Sequence, residues 1–134
     1  MMFGNKFEQA QDLHGRGHNC AQSVVLPFSE ELGLEPQTVM RAMEGFGAGM
    51  GGREQTCGAL SGAIFVAGLT HSDGNLWSPA SKQETYALCK ALCEEFTAAC
   101  GGSAVCSVIK REGCVSCQRC IELGVELAMK AIEK

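Results

Sequence analysis

The chain has 134 residues and a formal net charge of −4. This length bounds it to one domain, 1–134, and the absence of a basic block argues against a nucleic-acid partner. One Trp and one Tyr give no stacking platform for bases, and no segment is long enough to insert across a membrane.

The opening residues, MMFGNKFEQAQ, lack the apolar stretch of a secretory signal, so the expected localisation is cytoplasmic. Residues 5–14 suit a short amphipathic helix with Phe7, Ala10 and Leu13 on one side. Gly15 and Gly17 end it. Asn19 is a good N-cap for a second helix, from Cys20 to about Leu32, whose buried face is Val24, Val25, Phe28 and Leu32. Pro27 lies inside that helix and is expected to kink it or to move its boundary. Pro36 opens a third helix carrying Val39, Met40 and Met43.

The organising stretch is Gly45–Leu69, GFGAGMGGREQTCGALSGAIFVAGL. Its first part is a glycine-rich loop able to take backbone angles that other residues avoid. Its second part, about 56–69, is an uncharged helix. Thr56 is its expected N-cap and Cys57 lies in its first turn. A helix apolar all round is a buried one, and this one is too short to span a bilayer. Residues 71–78 are turn-rich. Pro79 starts a long helix to about Cys100, ended by Gly101 and Gly102. Ser103 can cap a short turn carrying Cys106, and Ser116 can cap a last helix with Ile121, Val125, Ala128, Met129 and Ile132 as its apolar face. No strand alternation is evident. The expected fold class is all-α, a bundle of five to seven helices around the buried central helix.

Nine cysteines are the outlying feature: Cys20, Cys57, Cys89, Cys93, Cys100, Cys106, Cys114, Cys117 and Cys120. An odd count without a signal peptide does not fit a secreted disulfide scaffold and points to metal binding, redox chemistry or packing. Cys20 and Cys57 each follow a capping residue. Cys106, Cys117 and Cys120 also fall near predicted helix starts. The free amides and dipole there favour a thiolate, which is both the exchange nucleophile and a ligand for soft metals. Cys89, Cys93 and Cys100 share one face of a long helix and read as core, although Cys89 and Cys93 could reach one metal. Cys114, Cys117 and Cys120 form C-x-x-C-x-x-C, which resembles the first ligands of an iron–sulfur run without its closing C-P. Gly47, Gly49 and Gly52 fit G-x-G-x-x-G, but with no strand before them they do not read as a dinucleotide site. The loop could still hold an anion beside Arg53. His14 and His18 flank Cys20 as a conceivable base or ligand, or as plain surface residues.

Asn19-Cys20, Cys57-Gly58-Ala59-Leu60-Ser61-Gly62, Gly102-Ser103-Ala104-Val105-Cys106 and a last Cys before an amphipathic helix together resemble the C_GCAxxG_C_C family over about residues 10–130. Its members are small bacterial and archaeal proteins described as redox-active. The resemblance implies a helical fold and maps the four signature cysteines onto Cys20, Cys57, Cys106 and Cys120, with Cys117 and Cys114 as alternatives for the last. It also implies a redox partner protein and an association with a transporter, because members are encoded near transporter genes.

Three functions follow. The first is thiol–disulfide exchange, with Cys20 and Cys57 cycling and Cys106 or Cys120 resolving. The second is a zinc or iron–sulfur site for electron transfer or sensing, with ligands among Cys20, Cys57, Cys106, Cys114, Cys117 and Cys120. The third is a non-catalytic binding module. The remaining cysteines depart from the family pattern and add to the case for metal. A cysteine cluster of this kind could also be completed across a homodimer.

Overall fold

The computed structural model describes residues 6–112 and 115–133. Among these, helices dominate and the one strand-like feature is an isolated antiparallel bridge between Thr56 and Val105. The elements are α1 (Lys6–Gly15), α2 (Cys20–Val25), α3 (Ser29–Leu32), α4 (Pro36–Met43), α5 (Gly58–His71), α6 (Lys82–Ala99), α7 (Cys106–Glu112) and α8 (Cys117–Glu133). Taking the broken run of α2 and α3 as one helix gives seven, so the fold is the expected all-α bundle.

Local chemistry explains most boundaries. Asn19 and Gln22 form a reciprocal capping box at the start of α2: the Asn19 side chain accepts from the Gln22 amide (2.8 Å), and the Gln22 side chain accepts from the Asn19 amide (3.0 Å). Pro27 interrupts the run, which passes through a 3-10 turn at Leu26–Phe28 before α3. Lys6 fixes α1 over this kink. It is 3% exposed, pairs with Glu31 at 2.7 Å, donates to the Pro27 carbonyl and stands 5.1 Å from the centre of the Phe28 ring.

The central helix is α5, which packs against α2 and α8 and more lightly against α6. Ala59, Ala63, Val66 and Ala67 are fully buried. Gly124 of α8 lets the two backbones meet, since a Cβ there would lie 2.7 Å from the Ala59 carbonyl oxygen. Two details differ from expectation. α5 starts at Gly58 rather than Thr56, because Thr56 is held extended by the bridge to Val105. Nor is it buried all round: Ile64 and Phe65 are half-buried along a groove shared with Phe46, Met50 and Cys93. α6 also starts later than Pro79. The Asp73 carboxylate accepts from the Asn75 and Ala80 amides, and Asn75 accepts from Trp77 and Ser78, so 73–80 is a self-bonded loop that leaves Trp77 91% exposed. No described helix is long and apolar enough to cross a membrane.

The glycine-rich stretch is a 3-10 turn at Glu44–Phe46 followed by a wide turn at Gly49–Arg53. Positive φ was expected there, but three of the residues that adopt it are not glycine: Ala48 (53°), Met50 (64°) and Arg53 (67°). Such angles cost energy in residues with a Cβ and gather where a site requires a particular backbone path.

A candidate thiol site at four helix starts

Five cysteines line one small cavity of about 40 Å³, together with Ala48, Gly58, Ile109, Lys110 and Val115. Cys20 is the first residue of α2, Cys106 of α7 and Cys117 of α8; Cys120 lies one turn into α8. Cys57 is the N-cap of α5 rather than a member of its first turn, which corrects the expected register by about one residue. Cys114 lies outside the described residues. Cys57, Cys106 and Cys120 are buried, whereas Cys20 and Cys117 are half-buried. Among the described residues no cysteine is in a disulfide.

Three contacts converge these helix starts. The bridge beside the site joins two of them, with the Cys57 amide donating to the Ala104 carbonyl (2.8 Å) and the Cys106 amide to the Gln55 carbonyl (2.9 Å). The glycine-rich turn closes over the other side. A Cβ on Gly47 would lie 2.4 Å from Asn19 side-chain atoms, and one on Gly49 would lie 2.7 Å from the Cys106 Cβ. Gly58 brings the starts of α5 and α2 together, since a Cβ there would lie 2.9 Å from the Phe46 carbonyl and 3.2 Å from the Ala21 amide nitrogen.

The environments of the thiols differ. Cys57 and Cys120 line the same cavity, and the Cys120 thiol acting as a hydrogen-bond donor is the main reason that the Cys57 thiol is lowered from the usual 9.0 to about 7. Burial opposes the shift. The Ala59 and Leu60 amides lie against the Cys57 sulfur and favour its charge, without closing a side-chain capping bond, and Lys110 contributes more weakly. The same contact with Cys57, followed by burial, raises the Cys120 thiol, which therefore remains the protonated donor. Burial first, then the charges of Cys57 and Cys117, push the Cys20 thiol up to about 12. Burial, then Cys57, raises Cys106.

Lys110 was not singled out in the sequence. Its Nζ lies 2.7 Å from the Cys117 sulfur, and that contact raises the lysine and keeps it charged. Its position one turn after Cys106 on α7 was the available signal.

The remaining candidates lie elsewhere. Cys89 and Cys93 are on α6, away from the cavity, while Cys100 is 2% exposed and touches Cys120. His18 Nδ1 is 3.0 Å from the Leu13 carbonyl oxygen, and neither His14 nor His18 lines the cavity. Thiolates are suitable donors for zinc or iron, but among the described residues no three Cys, His, Asp or Glu side chains stand in a geometry that would hold a metal ion. The cavity admits only a few water molecules, far below the several hundred cubic ångströms of a ligand pocket.

A family model described as "Putative redox-active protein (C_GCAxxG_C_C)" matches residues 18–133. No curated protein and no solved structure matches the chain significantly.

Proposed function

The chain belongs to the C_GCAxxG_C_C family, and from that premise we propose that it performs two-electron thiol–disulfide exchange, with Cys57 as the attacking thiolate and Cys120 as the resolving thiol. The observation that carries this reading is the asymmetric pair itself: a Cys57 sulfur at a helix start, its charge favoured by the Cys120 hydrogen bond. It refines the expected Cys20–Cys57 pair, because Cys20, with its thiol pushed up to about 12, is the poorer nucleophile at neutral pH.

In the first step the Cys57 thiolate attacks one sulfur of a partner disulfide. The Cys57–partner bond forms, the partner S–S bond breaks, and the second partner sulfur leaves as a thiolate. In the next step Cys120 attacks the Cys57 sulfur. The first partner sulfur leaves and takes up the Cys120 proton, and the Cys57–Cys120 disulfide remains. The protein dithiol is oxidised by two electrons and the partner disulfide is reduced by two. The cavity is too small to engulf a substrate, so a partner sulfur must be presented at the rim, where the half-buried Cys20 and Cys117 stand. Lys110 is placed to stabilise negative charge on sulfur there.

Anaerobic oxidation with a graded dithiothreitol redox buffer, followed by alkylation and peptide mapping, tests this. A reversible Cys57–Cys120 disulfide, abolished in Cys57→Ser, is the expected result. Both thiols remaining alkylatable at every potential would reject it. Metal analysis of the same anaerobic preparation supplies the contrast, since zinc or iron bound by these thiolates at one per chain would replace exchange with a metal site.

A further inference from the structure

Cys120 has a second sulfur neighbour. The groups that raise the Cys120 thiol include Cys100 as well as Cys57, and all three are buried in one cluster. Cys100 closes α6, with its amide donating to the Phe96 carbonyl (3.0 Å). Gly101 and Gly102 follow at φ 85° and 115°, and the Gly102 amide returns to the Thr97 carbonyl (2.9 Å). That turn directs the chain through Ser103 to the bridge at Val105 and into Cys106. Cys100 is thus buried beside the thiol site without lining its cavity.

We propose that Cys100 is an internal acceptor thiol: it takes the disulfide from the Cys57–Cys120 pair, forming Cys100–Cys120 and returning Cys57 to service. The proposal rests on the exchange reading above. In the step, the Cys100 sulfur attacks the Cys120 sulfur, the Cys57–Cys120 bond breaks, and Cys57 leaves as a thiolate. The proton that Cys100 gives up is taken up by the departing Cys57 sulfur, so that charge balances. No electrons enter or leave the chain, because one disulfide is exchanged for another.

Position favours this direction. Cys57 stands at the positive end of α5, where departing negative charge is stabilised, whereas Cys100 stands at the negative end of α6. The freed Cys57 again faces the cavity beside Cys20 and Cys106. A second partner disulfide can then be attacked while the first oxidising equivalent is held inside.

The test uses the reduced full-length protein, mixed anaerobically with one molar equivalent of hydroxyethyl disulfide, acid-quenched at intervals, alkylated and mapped. The Cys57–Cys120 linkage is expected to rise and then fall as Cys100–Cys120 grows, with Cys57 reacting again with the alkylating agent. In Cys100→Ala, checked for helix content by circular dichroism, the Cys57–Cys120 linkage is expected to persist. If Cys57–Cys120 accumulates in the unaltered protein while Cys100 stays alkylatable throughout, the relay is wrong and the exchange reading stands. If Cys57–Cys120 never forms, both fall. Recovery of Cys57 at an unchanged rate in Cys100→Ala also overturns the relay.

Discussion

Replacing Cys120 with alanine removes the hydrogen bond that contributes most to the low titration of Cys57. A hydrogen bond to a charged group is worth about 1.5–3 kcal/mol, which at 1.36 kcal/mol per pKa unit is roughly 1–2 units. The Cys57 midpoint is therefore expected to move from about 7 towards the usual 9.0. The sign is fixed by the chemistry: thiolate forms as pH rises through the midpoint, so a raised midpoint means less thiolate at neutral pH. At pH 7 the thiolate fraction falls from about one half to between roughly one tenth and one hundredth. The assay is the pH profile of iodoacetamide alkylation, read at the Cys57 peptide by mass spectrometry. The midpoint, rather than the rate, is compared, because a thiol of higher pKa is also more nucleophilic once ionised. Cys120→Ser supplies the contrast. Its hydroxyl still donates, so the midpoint stays low, but it cannot resolve a mixed disulfide, which should accumulate. A Cys57 midpoint that moves by less than about 0.3 unit in Cys120→Ala refutes the reasoning.

Lys110→Gln removes the cation beside Cys117. It is expected to raise the same Cys57 midpoint by a smaller amount, about half a unit, with Lys110→Arg restoring it; an equal or larger effect than Cys120→Ala would reverse the assigned order of causes. Gly58→Ala forces a Cβ to within 2.9 Å of the Phe46 carbonyl and should cost about 1–3 kcal/mol, seen as a fall of several degrees in thermal unfolding. Asp73→Ala removes the carboxylate that accepts from the Asn75 and Ala80 amides. Chymotrypsin should then cut faster after Trp77 while Cys57 alkylation is unchanged. Because those amides hold the Asp73 carboxyl below its usual 3.8, the restraint should be present above that pH and be lost only as pH falls through the lower folded value.

The helices were legible where a boundary is set by neighbours in sequence. Asn19 and Gln22 stand three apart and announce a capping box, Pro36 opens a helix, and Ser116 accepts from the Arg119 amide (3.1 Å) as a cap should. Thr56 carries an equally good local signal and fails, because a partner far along the chain, Val105, holds it extended. Pro79 fails for a similar reason, since Asp73 and Ser81 organise the loop around it. The placement of thiols at helix starts was readable from capping residues. Which of them would share one cavity was not, because bringing Cys57 and Cys120 together depends on how α5 crosses α8, and that crossing is permitted by Gly124. The capacity of Ala48, Met50 and Arg53 to adopt positive φ is likewise invisible in residue type; it is imposed by the turn that encloses the site.

The thiols around the cavity come from the starts of four separate helices, with Cys20 near the beginning of the chain and Cys117 and Cys120 near its end. During synthesis the early thiols must therefore wait, exposed and without their final neighbours, until α8 has emerged from the ribosome and docked. Cys89, Cys93 and Cys100 are translated in between and offer closer but wrong partners. The centre is thus a late product of folding, and its biogenesis calls for reducing surroundings even though the work proposed for it is oxidation and reduction. Refolding the denatured chain in the presence of oxidant should consequently yield scrambled, inactive protein, while folding first and oxidising afterwards should not.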